Sequence, residues 1–201
     1  MGQYYKPISI DAKEFVCTHD AAKSLGADFC GAKLMEHSWL ENKVVRAALL
    51  MLSEGGAWHK TKIVWCGDYA DSRSELILQD EDSGDDFEAN YYAYASEKFT
   101  QVDPTETIRG CDGYILNHDT KEYVCLQDTP PGTADWMDDE GWQIHPLPLL
   151  TCDGNGRGGG DFGGDDPNGL IGKWAYNRIS YQTRKPLKAE GFTKLEFDLT
   201  E

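Results

Sequence analysis

The chain reads as an α+β protein, mainly of antiparallel strands, with two similar β-hairpin-containing halves and one amphipathic helix. Three observations lead there. Residues 4–18 and 113–126 each alternate apolar and polar side chains around a short polar turn, the signature of a β-hairpin. Lys13, Glu14, Val16, Cys17 and Asp20 of the first recur as Lys121, Glu122, Val124, Cys125 and Asp128 of the second, 108 positions on, and His37 recurs as His145. A repeat that consistent implies internal duplication. Finally, "HSWLENKVVRAALLMLSEGG" places Leu40, Val44, Ala47, Ala48 and Met51 on one helical face.

In chain order, the first hairpin runs through Ile8 and Ile10 to an Asp-Ala-Lys turn and returns through Phe15, Val16 and Cys17. The helix is expected to start at Ser38, with Glu41 completing a capping box, and to stop at Gly55-Gly56. "TKIVWCGDY" is a buried strand, and its Trp65 is expected to correspond to Trp174 of "KWAYN". "DEDSGDDFE" has six acids and no base, which reads as a solvated loop or linker, while "ANYYAYASEKF" suits helix or strand. "WQIHPLPLL" is expected to be extended because of its prolines, and "IGKWAYNRISYQ" is the closing strand. The halves are thus 1–80 and 108–190, joined by an acidic, aromatic connector 81–107 and followed by a tail 191–201, all in one compact unit.

Composition narrows the function. The net charge is −16, from 35 acids against 19 bases. Phosphate-backbone binding needs clustered Lys and Arg, so direct nucleic-acid binding is disfavoured, and anionic membrane surfaces are disfavoured for the same reason. Basic protein surfaces and cations remain as partners. There is no apolar leader and no apolar run of spanning length, which predicts a cytoplasmic protein. The six cysteines form no CxxC pair and are expected to be reduced thiols.

Candidate chemistry centres on "TCDGNGRGGGDFGGDDPNG", residues 151–169. It lacks the Lys-Ser/Thr pair of a P-loop, opens no helix after its G-x-G-x-x-G match, and has a single arginine where an RNA-binding tract would have several. Asp153, Asn155, Gly158 and Asp161 fall at the first, third, sixth and ninth positions of a calcium loop. Position five is Arg157, however, and position twelve is Gly164 instead of glutamate. Asp153, Asn155 and Asp161 therefore stand as candidate ligands for calcium or another divalent cation, set against a plain connecting loop with no cofactor. His37 and His145 sit beside apolar runs, and with Asp68 at the end of "IVWCGD" they form an alternative ligand site between the halves. Satisfied core histidines and a capping aspartate are the competing reading. No Cys–His nucleophile pair is specified, and no catalytic residue is assigned.

The phrases "MGQYYKP", "LMEHSW", "KIVWCGDYAD", "ILNHDTKEYV", "IHPLPLL" and "GNGRGGGDF" together resemble a family of small phage and bacterial proteins. The resemblance implies Trp-Ala-Gly-Asp at two tryptophan sites. Here these are Trp65-Cys66-Gly67-Asp68 and Trp174-Ala175-Tyr176-Asn177, so the second lacks Gly-Asp. It implies a phage or bacterial setting and no particular chemistry. The expected function is a non-enzymatic acidic binding protein, a phage-encoded inhibitor that occupies the basic surface of a host defence or nucleic-acid-handling protein. Asp80, Glu81, Asp82, Asp85 and Asp86, with Asp135, Asp138, Asp139 and Glu140, would form the contact surface. The alternative is a small-ligand (nucleotide-like) binder or a metal-dependent hydrolase with its site between the halves.

Overall fold

A computed structural model describes residues 3–27, 32–130, 143–154, 162, 166 and 168–199. Both expected hairpins form: β1 (Tyr5–Ser9) with β2 (Glu14–Phe15), and β7 (Tyr114–Asn117) with β8 (Glu122–Cys125). Their turns close alike, with Lys13 at φ 54° and Lys121 at φ 59°. Both lysines, at matching turn positions, thus take the left-handed conformation that non-glycine residues uncommonly adopt.

These hairpins belong to one mostly antiparallel sheet, which makes the protein α+β. Its other strands are β3 (Thr61–Gly67), β6 (Thr100–Gln101), β9 (Cys152–Asp153), β10 (Asn177–Gln182) and β11 (Thr193–Lys194). The order is β11-β8-β7-β10-β3-β1-β2-β6, with β9 paired alongside the end of β3. Read from either edge the path is the same: a two-residue parallel strand, a hairpin, then a central strand. β6 meets Glu14 and Phe15 in the register in which β11 meets Glu122 and Tyr123. These edge strands lie in the segments expected to be connector and tail.

The ladder corrects one expected match. β1 sets Pro7 against Trp65, whereas β7 sets Ile115 against Tyr181, so it is Tyr181 and not Trp174 that holds the register position of Trp65. Trp174 matches Trp58 instead. Trp58 donates its indole N–H to Glu14 of β2 at 2.8 Å, and Trp174 donates to Glu122 of β8 at 3.0 Å. Both indoles are fully buried. The offset changes because the two hairpin-to-strand connections differ in length.

Helices α1 (Thr18–Ser24), α2 (Leu34–His37), α3 (Lys43–Leu52) and α5 (Pro146–Leu150) connect these strands. α3 starts later than expected, leaving Leu40 ahead of it, and it buries Val45, Leu49 and Leu52 beside the expected Val44, Ala47 and Ala48, with Met51 only half-buried. Asn42 is its cap, accepting from the N–H groups of Val44 and Val45, while Ser38 bonds back to Leu34 O at the end of α2. α5 overturns the extended reading of "WQIHPLPLL". Pro146 and Pro148 fall in the first turn, where no N–H is needed, and His145 Nδ1 accepts from Leu147 N–H. One face of the sheet, with Ile63, Trp65, Ile115 and Ile179, packs into the main core with Val45, Leu49 and Leu52 of α3. Each such fully buried side chain contributes roughly 1.5–3 kcal/mol by leaving water.

The opposite face of the first half is roofed by α4 (Tyr91–Lys98), which settles "ANYYAYASEKF" as a helix capped by Asn90. A smaller apolar cluster lies under it, with Ile8, Phe15, Val64 and Cys66 against Ala95. Before α4 the chain forms β4 (Arg73–Gln79) and β5 (Asp86–Ala89), which pair only with each other. The run "DEDSGDDFE", expected to be a loop or linker, is therefore the tip and returning strand of a hairpin arm. No helix among the described residues is long and apolar enough to cross a membrane.

Candidate functional site

The arm is built by a turn that its own acids hold. Asp80 accepts from the N–H groups of Asp82 and Ser83, at 3.1 and 2.8 Å, and Gly84 takes φ +75°. The bonds from Ser83 hold the Asp80 carboxyl below the usual carboxylate range, so it stays ionised. Leu76 and Leu78 turn inward and are buried, whereas Ile77 and Phe87 are 44% and 45% exposed. Glu88 lies opposite Ile77, and Asp86 opposite Gln79. Between residues 73 and 89 the sequence has seven carboxylates and one base, Arg73.

Arg73 does not neutralise the tip, because it is engaged at the base of the arm. Its guanidinium contacts Asp153 Oδ2 at 3.2 Å and lies over the Tyr176 ring at 4.1 Å, with Tyr91 at 5.8 Å. The Tyr176 hydroxyl donates to the same Asp153 oxygen. Burial, then Asp153, pushes the Tyr176 phenol well above its usual range. Beside it, burial raises the Cys66 thiol, so this cysteine is not poised as a nucleophile. Asn90 completes the anchor by donating to Asp68 O at 3.1 Å and Ala70 O at 2.9 Å.

The other expected site residues fall as follows. Asp80, Glu81, Asp82, Asp85 and Asp86 are all exposed on the arm. Asp135, Asp138, Asp139 and Glu140 lie outside the described residues, as do Asn155 and Asp161. Asp153 has one carboxylate oxygen taken by Arg73 and Tyr176, an arrangement suited to a cationic side chain. Among the described residues, no group of three or more His, Cys, Asp or Glu is placed to hold a metal ion. His37 Nδ1 accepts from Trp65 Nε1 at 3.0 Å, His145 caps α5, and Asp68 Oδ1 accepts from Tyr4 N–H at 2.9 Å. All three therefore do structural work.

Two groups escaped the sequence reading. One is Arg73 with Tyr176, eighty residues from Asp153 in the case of the arginine. The other is Lys6, a buried lysine whose ammonium donates to Ser96 Oγ at 2.6 Å and lies 3.6 Å from the centre of the Tyr92 ring. Burial depresses its pKa. Its position in "YYKPISI", alternating with core residues, was the available signal. Compared with protein-family models, curated proteins and solved structures, the chain matches none of them.

Proposed function

We propose that this protein is a non-enzymatic acidic binding protein whose β4–β5 arm docks on the basic surface of a nucleic-acid-handling protein. One observation carries the reading. The arm presents six carboxylates from Asp80 to Glu88 with two exposed apolar side chains, Ile77 and Phe87, and its one arginine is tied to Asp153. Carboxylates held on a rigid turn imitate a row of phosphates, and the apolar pair supplies area that salt does not screen. Anchoring through Arg73, Tyr176 and Asn90 spares the arm much of the ordering cost of binding.

The test uses the heparin-binding fraction of a bacterial lysate, which is enriched in nucleic-acid-handling proteins. The wild type should retain proteins from it on a column and release them with duplex DNA. A variant with Asp80, Asp82, Asp85 and Asp86 changed to Asn and Glu81 to Gln should retain at least tenfold less while melting normally. Equal retention by the two proteins would overturn the proposal.

A further inference from the structure

The two ends of the sheet differ on the face away from α3 and α5. In the first half, residues 68–99 lie between β3 and β6 and deliver α4, whose Tyr92 ring and Ser96 hydroxyl settle on Lys6. In the second half, β10 and β11 are joined by residues 183–192, which form only a short 3-10 turn at Lys188–Glu190. The ladder shows what occupies matching places. Tyr114 stands for Lys6, Tyr123 for Phe15, Cys125 for Cys17 and Lys194 for Gln101. Where the first half has a helix, these four residues line an open cleft of about 290 Å³.

The cleft sets two aromatic rings, Tyr114 half-buried and Tyr123 buried, among the polar and charged side chains of Gln127, Asp128, Lys185 and Lys194. Tyr114 and Tyr123 meet edge-to-face with ring centres 5.9 Å apart. The Cys125 thiol donates to Gln127 Oε1 at 3.0 Å. Lys194 is held by Asp128 at 3.0 Å and Glu196 at 2.9 Å. Lys185, also on the rim, is exposed and makes no ion pair among the described residues.

We propose that this cleft binds a small, single-ring aromatic acid. Its ring takes the place against the Tyr114–Tyr123 wall that Tyr92 takes over Lys6 in the first half, and its carboxylate pairs with Lys185. The volume is at the small end for ligand pockets, which fits one ring and excludes a dinucleotide. The cleft lies at the β8–β11 end of the large sheet, whereas the arm strands form a sheet of their own anchored to Asp153 of β9, and the site does not depend on the function proposed for the arm.

The probe is 4-hydroxyphenylacetate, titrated into the full chain and followed by saturation-transfer NMR and by alkylation of Cys125 mapped by mass spectrometry. The expected result is saturable binding, with the alkylation of Cys125 slowed by the ligand and that of Cys17 and Cys111 unchanged by it. Tyramine, which has the same ring with a cation, and cyclohexylacetate, which has the charge without the ring, should bind at least tenfold more weakly. Lys185→Glu and Tyr114→Ala should each weaken binding at least tenfold. Lys185 is exposed, so its variant keeps the fold if Tyr114→Ala does not. No saturable binding at roughly 10 mM, equal binding of tyramine, or binding unchanged in Lys185→Glu would each overturn the proposal.

Discussion

Lowering the pH from 7 to 5 should destabilise this protein partly through a single imidazole, that of His145. The side chain is 1% exposed, and its Nδ1 accepts the Leu147 N–H that caps α5, so Nδ1 has no room for a proton. Among the described residues its Nε2 is buried and has no partner. Burial lowers the folded-state pKa to about 3, against an ordinary value of 6.5. The unfolded chain therefore takes up the proton first. The stability is complete above the unfolded value and is lost as pH falls from 6.5 towards 3. At pH 5 the unfolded state gains about 2 kcal/mol from protonating this one residue. The comparison is with His145→Asn, which keeps an oxygen to accept from Leu147 N–H but does not titrate in this range. Urea unfolding of both proteins at pH 7 and pH 5 isolates the effect, because carboxylates and other histidines cancel between them. Wild type should lose about 2 kcal/mol more than the variant over that interval. Identical pH dependence would refute the assignment.

Other outcomes follow from the same geometry. His118, lowered to about 4 by burial and then by nearby lysines, should show a ring titration midpoint well below 6.5 by NMR. Glu14→Ala and Glu122→Ala each strand a buried indole N–H, and each should cost roughly 1–3 kcal/mol in denaturant unfolding. Gly56→Ala places a methyl 2.1 Å from the Met51 carbonyl oxygen, a backbone atom that cannot swing aside. It should cost more than about 2 kcal/mol. Arg73→Met should speed amide exchange in β4 and β5 but not in β1, because it frees the arm at its base.

The hairpins are legible because local alternation and turn chemistry decide them, and α3 is legible as a helix, but its run of apolar residues hides which face is buried, since Val45, Leu49 and Leu52 pack inward while Met51 stays half-buried. What failed locally failed for identifiable reasons. Ser38 and Glu41 have the spacing of a capping box, but the 38–40 segment pairs with 143–145, which delays the helix to Asn42. Pro146 and Pro148 argue against a strand, yet they suit the first turn of a helix. The acids of the arm hid a β-turn, because charge density alone does not separate a linker from a hairpin. β6 and β11 are two residues each and carry no period. The Arg73–Asp153 contact and the tyrosine cleft depend on strand order, which no local pattern contains.

The central β3–β10 ladder ties Thr61–Ile63 to Ile179–Asn177, the most distant pairing along the chain among the antiparallel strands. Closing it requires a loop of more than a hundred residues, so its entropy must be met before the contact returns anything. During synthesis, by contrast, β1, β2, β3 and β6 can assemble before residue 177 has left the ribosome. The seam between the two ends of the sheet thus closes late, with only β11 on β8 left to follow it in chain order. Until it does, β9 can cover only Trp65 and Cys66, and the amides and carbonyls of β3 at Thr61–Ile63 stand open to mispairing with a neighbouring nascent chain.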